Sequence, residues 1–287
     1  MFNSKHNLPF VSVIIPVRHD WERLNLCIDG IQNQSYPQDN LEVVIVNNDP
    51  QDPPPEEIKL AENFTLLTES QPGSYAARNR GLETARGEIF AFTDADCIPD
   101  PEWLMKAVKE LSDDVTRVAG KVELFYTADT PNLAELYEKV TAFQQERDAK
   151  IYGTCTTANL VAARKTFEKV GNFDSALQSG GDIEWGLRAQ NAGFRIGYSP
   201  EAIVLHPARN SLREILKKER RVIGGRRQIP EEVICQTKKG SFFVRQLEPF
   251  TSALHSDDLS TGQKLKACLV ILTVKTCKLY LRCRTKL

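Results

Sequence analysis

Two aspartates that stand one residue apart carry the strongest chemical signal in this sequence. Asp94 and Asp96 directly follow the apolar run EIFAF at 88–92, which is typical of a buried strand. Like charges at this spacing repel each other, so water, a nearby cation or a bound metal ion has to offset the repulsion. A D-x-D sequence after a strand suits a hard divalent cation that keeps open positions for phosphate oxygens. The tripeptide alone is common, and its place after a strand makes it informative.

Polar residues also follow two earlier strand-like segments. VSVIIPV at 11–17 leads into Arg18, and LEVVIV at 41–46 leads into Asn47 and Asp49. Continuous apolar runs are typical of parallel strands that are covered on both faces. Ligands of open α/β sheets bind outside the carboxyl ends of the strands. We therefore expect these polar residues to join the aspartates at one edge, although loops after strands are often polar without any such role.

A second group of charged residues lies in GGDIEWGLR at 180–188. Asp182 follows two glycines at the start of a predicted helix, and Glu184 with Arg188 has the i,i+4 spacing of an ion pair. The group is either part of an active site or a helix cap beside a surface ion pair. His206 ends the strand-like run AIVLH before a proline, so it is either a ligand at the sheet edge or a strand-end histidine with a structural role.

Alternating strands and helices position these groups. Between the first two strands, Trp21, Leu24, Ile28 and Ile31 recur at helical spacing, and a further helix is predicted in GSYAARNRGLETARG before the third strand. This βαβαβ order predicts a right-handed, doubly wound α/β unit. A helix over 182–193 ends at Gly193, and Ser211 with Glu214 predicts the start of another. We divide the chain into a catalytic domain, 1–208, and a basic helical extension, 209–287.

Composition excludes several classes of protein. Hydrophobic residues make up 41% and charged residues 26%, which is typical of a globular protein, and the net charge of −1 gives no overall field for nucleic acid. The seven cysteines form no CxxC pair, which indicates reduced thiols and a cytoplasmic protein. The first ten residues lack the apolar core of a signal peptide, and ACLVILTV is shorter than the ~20 residues that span a bilayer.

The C-terminal segment is basic. From Lys264 onward the sequence has seven Lys or Arg residues and no acidic residue, interleaved with apolar ones. Such a helix either lies peripherally on an anionic membrane, here the inner face, or packs on the catalytic domain with its lysines in water. The sequence pattern leaves both alternatives open. No nucleic-acid-binding motif accompanies the charge, so we expect no nucleic-acid partner.

Four blocks of the sequence, in order, resemble a family 2 glycosyltransferase with a GT-A type fold. They are VSVIIPV, VVIVNND, SYAARNRGLETARGEIFAFTDADCIPDPEWL and SGGDIEWGLRAQNAGFRIGYSPEAIVLH, within residues 9–207. One block would be a weak signal, whereas four in the family's order are a strong one. The resemblance implies an α/β fold with a Rossmann-like mixed sheet flanked by helices. It also implies a UDP- or GDP-linked sugar as donor and inversion at the anomeric carbon.

The resemblance also implies roles for individual residues. Asp96 and His206 would hold Mn²⁺ or Mg²⁺, and Asp182 would be the general base, with Glu184 as the second candidate beside Arg188. The donor nucleotide would contact Pro16, Val17, Arg18, Asn47, Asp49, Arg78, Asp94 and Ala95. The acceptor would contact Thr157, Asn159 and Trp185. Two positions depart from the family pattern, because Asn47 and Gly181 stand where members usually carry an acidic residue.

The function that follows is hexosyl transfer to a hydroxyl of a lipid, a polysaccharide or a small metabolite. One alternative is a sugar-nucleotide pyrophosphorylase, which would show a glycine-rich phosphate loop after the first strand. IIPVRHDWERL contains no glycine. The other alternative is a sugar-nucleotide-binding or membrane-associated scaffold without turnover, and the retention of Asp96, Asp182 and Arg188 argues against it.

Overall fold

A computed structural model describes residues 8–230, 233 and 242–284. Its strands are β1 (Val11–Val17), β2 (Leu41–Asn47), β3 (Phe64–Thr68), β4 (Ile89–Phe92), β5 (Ile98–Pro99), β6 (Val115–Phe125), β7 (Leu160–Ala163) and β8 (Arg195–Pro207). Its helices are α1 (Trp21–Gln32), α2 (Ser74–Thr84), α3 (Trp103–Glu110), α4 (Leu133–Thr141), α5 (Gln145–Arg147), α6 (Arg164–Val170), α7 (Gly181–Asn191), α8 (Leu212–Gln228), α9 (Phe242–His255) and α10 (Thr261–Arg284). The strands form one sheet in the order β3-β2-β1-β4-β7-β6-β8-β5.

The first half of the sheet is parallel, as its continuous apolar runs predict. β1 pairs with β2 and β4, and β2 pairs with β3, all in parallel. Residues of β1 alternate between the two faces of the sheet. Val13 and Ile15 pack with α1 and α3, whereas Ile14 packs with α2 and α7. The βαβ order therefore produces a sheet that is covered by helices on both faces, and its carboxyl edge carries the polar residues predicted above.

The second half of the sheet is mixed. β7 pairs antiparallel with both β4 and β6, whereas β6 and β8 run parallel. β8 is one continuous strand, whereas the sequence segments FRIGY and AIVLH predict two short strands. The pairing of β8 with β6 continues past an irregularity at Gly120 and Lys121. β3 was not predicted from the sequence. The expected architecture, a mixed sheet flanked by helices, is confirmed.

The C-terminal helices share a core with an earlier element. Side chains of α8, α9 and α10 pack against α4 around Leu136, Tyr137, Ile215 and Ile271. The predicted division at residue 208 falls between β8 and α8. The helices after this point pack on one another and also on α4, which precedes it. Among the described helices, none combines the length and the apolar character needed to cross a bilayer.

Candidate active site

The aspartate pair meets a histidine at the carboxyl edge of the sheet. Asp94 and Asp96 follow β4, and the antiparallel pairing of Ile98 with Leu205 brings His206 beside them. Ligand atoms of Asp94, Asp96, Cys97 and His206 all lie within 4.8 Å of one another. We call these four residues the acidic cluster. The sheet therefore joins residues that are about one hundred positions apart in the chain.

The histidine ring has a defined orientation. His206 Nδ1 lies 2.8 Å from the carbonyl oxygen of Pro207, which only accepts hydrogen bonds, so the ring proton is on Nδ1. Nε2, which lies 3.6 Å from Asp96 Oδ2, is then the nitrogen whose lone pair a bound cation would use. A carbonyl that holds the outer nitrogen of a histidine is a common arrangement around protein metal sites. The acidic cluster thus brings three acceptor atoms together, which a cation would stabilise.

The pKa shifts of Asp96 and Cys97 indicate which residues of the acidic cluster suit a cation. Burial, and then the neighbouring Asp94, raises the pKa of Asp96 above its ordinary value, and His206 partly opposes the shift. Burial and the two aspartates also raise the pKa of the Cys97 thiol well above its ordinary value. A protonated thiol is a poor ligand for a hard cation. The two carboxylates and the imidazole remain, a set that fits Mn²⁺ and, with less use of the imidazole, Mg²⁺.

Arg78 connects the acidic cluster to helix α2. Its guanidinium is 3% exposed and forms a short ion pair with Asp94 Oδ1. A second hydrogen bond runs from Arg78 Nη1 to the carbonyl oxygen of Ser74, at 3.3 Å. α2 approaches the sheet closely because position 81 is glycine: a Cβ there would lie 2.6 Å from Ile14 Cγ2. This close approach brings Arg78 to the end of β4.

Asp182, near the start of α7, contacts the same helix α2 through Tyr75. Its Oδ1 accepts hydrogen bonds from the Tyr75 hydroxyl at 3.0 Å and from the Ile183 amide at 2.9 Å. Burial raises the pKa of Asp182, and the Ile183 amide, Tyr75 and Arg78 partly oppose the shift. The Tyr75 ring packs on Gly181, where a Cβ would lie 2.8 Å from the ring. Tyr75 thus explains why this chain has glycine at a position where the family usually has an acidic residue.

One helix therefore contacts both groups of acids. Tyr75 and Arg78 are three residues apart on α2, and the Arg78 guanidinium lies 5.7 Å from the centroid of the Tyr75 ring. A continuous chain of contacts runs from Asp94 through Arg78 and Tyr75 to Asp182. Sequence reasoning did not identify Tyr75. Its i,i+3 spacing from Arg78 was the signal that could have found it.

The residues that follow β1 and β2 form an exposed, charged region near the contacts that join Asp94 to Asp182. Arg18 Nη2 lies 3.3 Å from Asp49 Oδ2, and His19 bridges Asp49 and Asp52 at 3.1 and 3.0 Å. The Gln51 amide, followed by Arg18, lowers the pKa of Asp49. These side chains sit beside the partly exposed Pro16, whereas Ala95 is buried next to the acidic cluster. Arg18 and Asp49 are accessible at the predicted nucleotide edge.

Two residues predicted at this edge are buried and hold the loop together. Val17 is 1% exposed and belongs to the core around α1. Asn47 is 3% exposed, and it donates to the carbonyl oxygen of Asp52 at 2.8 Å and accepts from the Asp49 amide at 3.0 Å. The amide of Asn47 is thus used inside the loop. Val17 and Asn47 thus position the loop, and their predicted contact with the nucleotide stays a prediction.

The buried Glu184 forms an ion pair with the partly exposed Arg188, and their predicted catalytic role stays a prediction. Arg188 binds both carboxylate oxygens of Glu184, at 2.6 and 2.9 Å. Its remaining donors reach the carbonyl oxygens of Val170 and Asn172 at 2.6 and 2.7 Å. The pair fastens α7 to the loop after α6.

Replacing Arg188 with methionine is expected to destabilise the fold by about 3–5 kcal/mol, because it leaves Glu184 buried without its partner. Urea unfolding followed by circular dichroism measures this loss. Arg80→Met is the matched control, because Arg80 forms an exposed pair with Glu83 at 3.0 Å, and its loss should cost less than about 1 kcal/mol. Equal destabilisation by both changes would contradict the structural role of Arg188.

Two of the predicted acceptor contacts, Trp185 and Asn159, are buried in the structure, and their contact with the acceptor stays a prediction. Trp185 is 1% exposed, stacks on Phe167 with 4.2 Å between centroids and donates to the Gly171 carbonyl oxygen. Asn159 is fully buried and accepts from Trp103 Nε1 at 2.8 Å. Both residues belong to the core. Thr157 remains beside Asp182, because its backbone amide is one of the groups that lower the pKa of that carboxyl.

A buried ion cluster supports the acidic cluster from the C-terminal side. Glu138 is fully buried and binds Arg209 Nη1 and Lys218 Nζ, each at 2.9 Å. Burial alone would raise the pKa of Glu138, but the two cations bring it below its ordinary value. Phe143 joins the two clusters, since its ring lies 4.6 Å from the His206 ring and 5.8 Å from Lys218 Nζ. Sequence reasoning did not identify Glu138 or Lys218.

Comparison with known sequences assigns the family. Residues 12–171 match the sequence profile of glycosyl transferase family 2. The chain is 38% identical over 234 residues to glycosyltransferase AglE of Haloferax volcanii, covering 77% of this chain and 74% of that protein. It is 26% identical over 218 residues to the pre-mycofactocin glycosyltransferase of Mycobacterium tuberculosis, covering 73% of this chain but 45% of that longer protein.

Comparison with solved structures assigns the fold. The mannosyltransferase PcManGT of Pyrobaculum calidifontis, solved with GDP-Man and Mn²⁺, superposes with a TM-score of 0.61 at 21% identity, covering 96% of this chain and 86% of that one. S. aureus TarS 1-349, solved with UDP, gives a TM-score of 0.53 at 17% identity, covering 88% and 68%. The predicted GT-A type fold is confirmed, and this chain belongs to glycosyl transferase family 2 and is a glycosyltransferase.

Proposed function

We propose that this glycosyltransferase moves a hexosyl group from a UDP- or GDP-linked sugar to an acceptor hydroxyl, with inversion. The observation that carries the proposal is the chain of contacts through α2, which joins the acidic cluster to Asp182. A donor diphosphate at the acidic cluster would bring the anomeric carbon toward that aspartate. Transfer by direct displacement needs a group that stabilises the charge on the leaving diphosphate and a base that takes the proton of the attacking hydroxyl.

Asp182 is the proposed general base. Its carboxylate takes the proton of the acceptor hydroxyl as the oxygen attacks the anomeric carbon from the face opposite the departing diphosphate. A raised pKa makes the carboxylate a better proton acceptor than an ordinary aspartate. Tyr75 and the Ile183 amide fix its orientation through Oδ1. Thr157 borders the proposed acceptor position.

Asp96 and His206 are the proposed metal ligands, with Asp94 beside them. The donor set fits Mn²⁺ or Mg²⁺, which when bound would neutralise negative charge on the diphosphate as the sugar–phosphate bond breaks. Arg78 adds a fixed positive charge next to Asp94. Its Nε is buried and has no hydrogen-bond partner among the described residues, so one donor of the guanidinium is unused in the structure. Pro16, Arg18 and Asp49 are the proposed contacts of the nucleoside.

The alternatives receive less support. A pyrophosphorylase or a scaffold without turnover would not need a buried carboxylate held by three donors opposite a metal-binding cluster. Family membership also favours transfer to an acceptor. The two similar structures contain GDP-Man and UDP, so the binding screen includes sugars linked to either nucleotide. The acceptor class stays open among a lipid, a polysaccharide and a small metabolite.

The proposal is tested by a thermal-shift screen of UDP- and GDP-sugars with and without Mn²⁺. One donor is expected to stabilise the fold by about 2–3 kcal/mol at ~100 times its dissociation constant, and only when the metal is present. That donor then serves in transfer assays with a panel of acceptors. Absence of stabilisation by every donor in the presence of Mn²⁺ and Mg²⁺ would contradict the proposed donor class.

Tyr75→Phe is expected to move the acid limb of the kcat/KM profile to higher pH. The Tyr75 hydroxyl lowers the pKa of Asp182, so its removal raises that pKa further. The base loses its ionised form as the pH falls through its pKa. With a higher pKa, activity is therefore lost at a higher pH. The measurement is kcat/KM between about pH 4 and 8. Tyr36→Phe is the control, because Tyr36 donates to the carbonyl oxygen of Pro9 away from the site. An unmoved limb would show that Asp182 does not control the rate.

A further inference from the structure

We propose that helix α10 docks on an anionic membrane surface through the face that points away from the protein. This outer face carries large apolar side chains at the spacing i, i+4, i+7, i+14 and i+15, which is one stripe of an α-helix. Their exposed fractions are high: Leu265 66%, Leu269 63%, Leu272 57%, Leu279 64% and Tyr280 57%. A stripe of this length exposes far more apolar surface than isolated leucines do.

The opposite face of α10 is already used by the fold. Ala267, Val270, Ile271 and Val274 are at most 4% exposed and pack into the core shared with α4 and α8. Lys278 adds an ion pair of 2.7 Å to Glu219 on α8. The inner face alone therefore fixes the helix on the protein. The leucines of the outer face contribute nothing to that packing, so their apolar character needs another explanation.

Polar groups on the outer side are satisfied within the helix. The hydroxyl of Thr273 donates to the carbonyl oxygen of Leu269 at 3.0 Å, and that of Thr276 donates to Leu272 at 2.9 Å. Hydroxyl groups bonded to the preceding turn present their methyl groups outward. The two threonines therefore interrupt the stripe less than free hydroxyls would. This arrangement suits contact with hydrocarbon at a lipid surface.

The flanking charges identify the occupant. At 100° per residue, Lys264 lies along one edge of the stripe and Lys266 along the other, whereas the ammonium of Lys275 lies 5.3 Å from the Phe250 ring of α9. The last acidic residue of the sequence is Asp258, so no negative charge accompanies them on this helix. A second copy of the chain placed on the same stripe would oppose lysines to lysines. An anionic lipid surface matches both features, because apolar side chains enter it while lysines reach the headgroups.

The inference is tested with the full chain and vesicles by flotation. Vesicles with about 30% phosphatidylglycerol are expected to bind the protein, and vesicles of phosphatidylcholine alone to bind it at least ~10-fold less. Raising the salt from about 0.1 M to 0.5 M should weaken the binding. Leu269→Ser with Leu272→Ser should reduce the partition coefficient about tenfold or more, whereas their exposure predicts an unchanged melting temperature.

The matched control is Leu26→Ser with Ile151→Ser, which removes apolar side chains that are 49% and 46% exposed elsewhere. This control should bind vesicles like the unaltered protein. Two results would overturn the proposal: no binding to anionic vesicles, or equal binding by the outer-face variant. The face would instead bind a second copy if the protein does not bind vesicles, runs as a dimer in size-exclusion chromatography, and becomes a monomer only when Leu269 and Leu272 are replaced with serine. The inference does not depend on the identity of the catalytic base.

Discussion

Asp182→Asn is expected to lower kcat about 10³-fold while the affinity for the donor changes little. An amide keeps the shape of the carboxylate and accepts the hydrogen bonds of Tyr75 and Ile183, but it cannot take a proton from the acceptor. Loss of an interaction made in the transition state lowers kcat and kcat/KM together. The proposed donor site is the acidic cluster, which this change leaves intact. Initial rates of transfer and a binding titration with the donor separate the two effects.

The control for this change is Asp113→Asn, because Asp113 is fully exposed at the start of β6 and lies outside both groups of acids. It should retain the kcat of the unaltered protein. A kcat for Asp182→Asn within about threefold of that value would remove Asp182 as the base. A loss of donor affinity equal to the loss of rate would instead place Asp182 in donor binding. Either result leaves the family and the fold unchanged.

The parts of the fold that follow from local signals were predictable from the sequence. β1, β2 and β4 are continuous apolar runs, and α1 shows its buried face at Trp21, Leu24, Ile28 and Ile31. Short-range spacing determines such elements before any tertiary contact is known. β8 was predicted as two strands because Ser199 and Pro200 interrupt its apolar pattern. Its pairing with β6 keeps it continuous, and no local signal encodes that pairing.

Burial of individual polar and aromatic residues was the part that sequence could not decide. Trp185 and Asn159 carry groups that suit ligand binding, yet their partners Phe167 and Trp103 come from distant segments. The same limit applies to Asp96 and His206. Their proximity depends on the β5–β8 pairing, and the sequence suggested it only through the family resemblance. Strand ends thus predicted where the site lies, whereas tertiary packing decided which side chains reach it.

Asp96→Asn is expected to lower kcat about 10²–10³-fold and to abolish the stabilisation of the fold by Mn²⁺. The neutral amide is a weaker ligand than the carboxylate, and it also removes the negative charge that faces His206 Nε2 at 3.6 Å. Treatment of the unaltered enzyme with EDTA should produce a similar loss, which Mn²⁺ should restore. Melting temperatures with and without Mn²⁺ give a readout that is independent of turnover.

His206→Ala should weaken Mn²⁺ binding about 10–100-fold, because it removes Nε2. The hydrogen bond of Nδ1 to the Pro207 carbonyl oxygen orients that nitrogen toward the acidic cluster. His255→Ala is its control, since that exposed histidine lies on α9 and hydrogen-bonds only within its own helix among the described contacts. Equal Mn²⁺ affinity for His206→Ala and the unaltered protein would exclude the imidazole as a ligand. Full activity after removal of divalent ions would exclude the metal itself. If only Asp96→Asn loses Mn²⁺ binding, the aspartates hold the ion and His206 orders their surroundings.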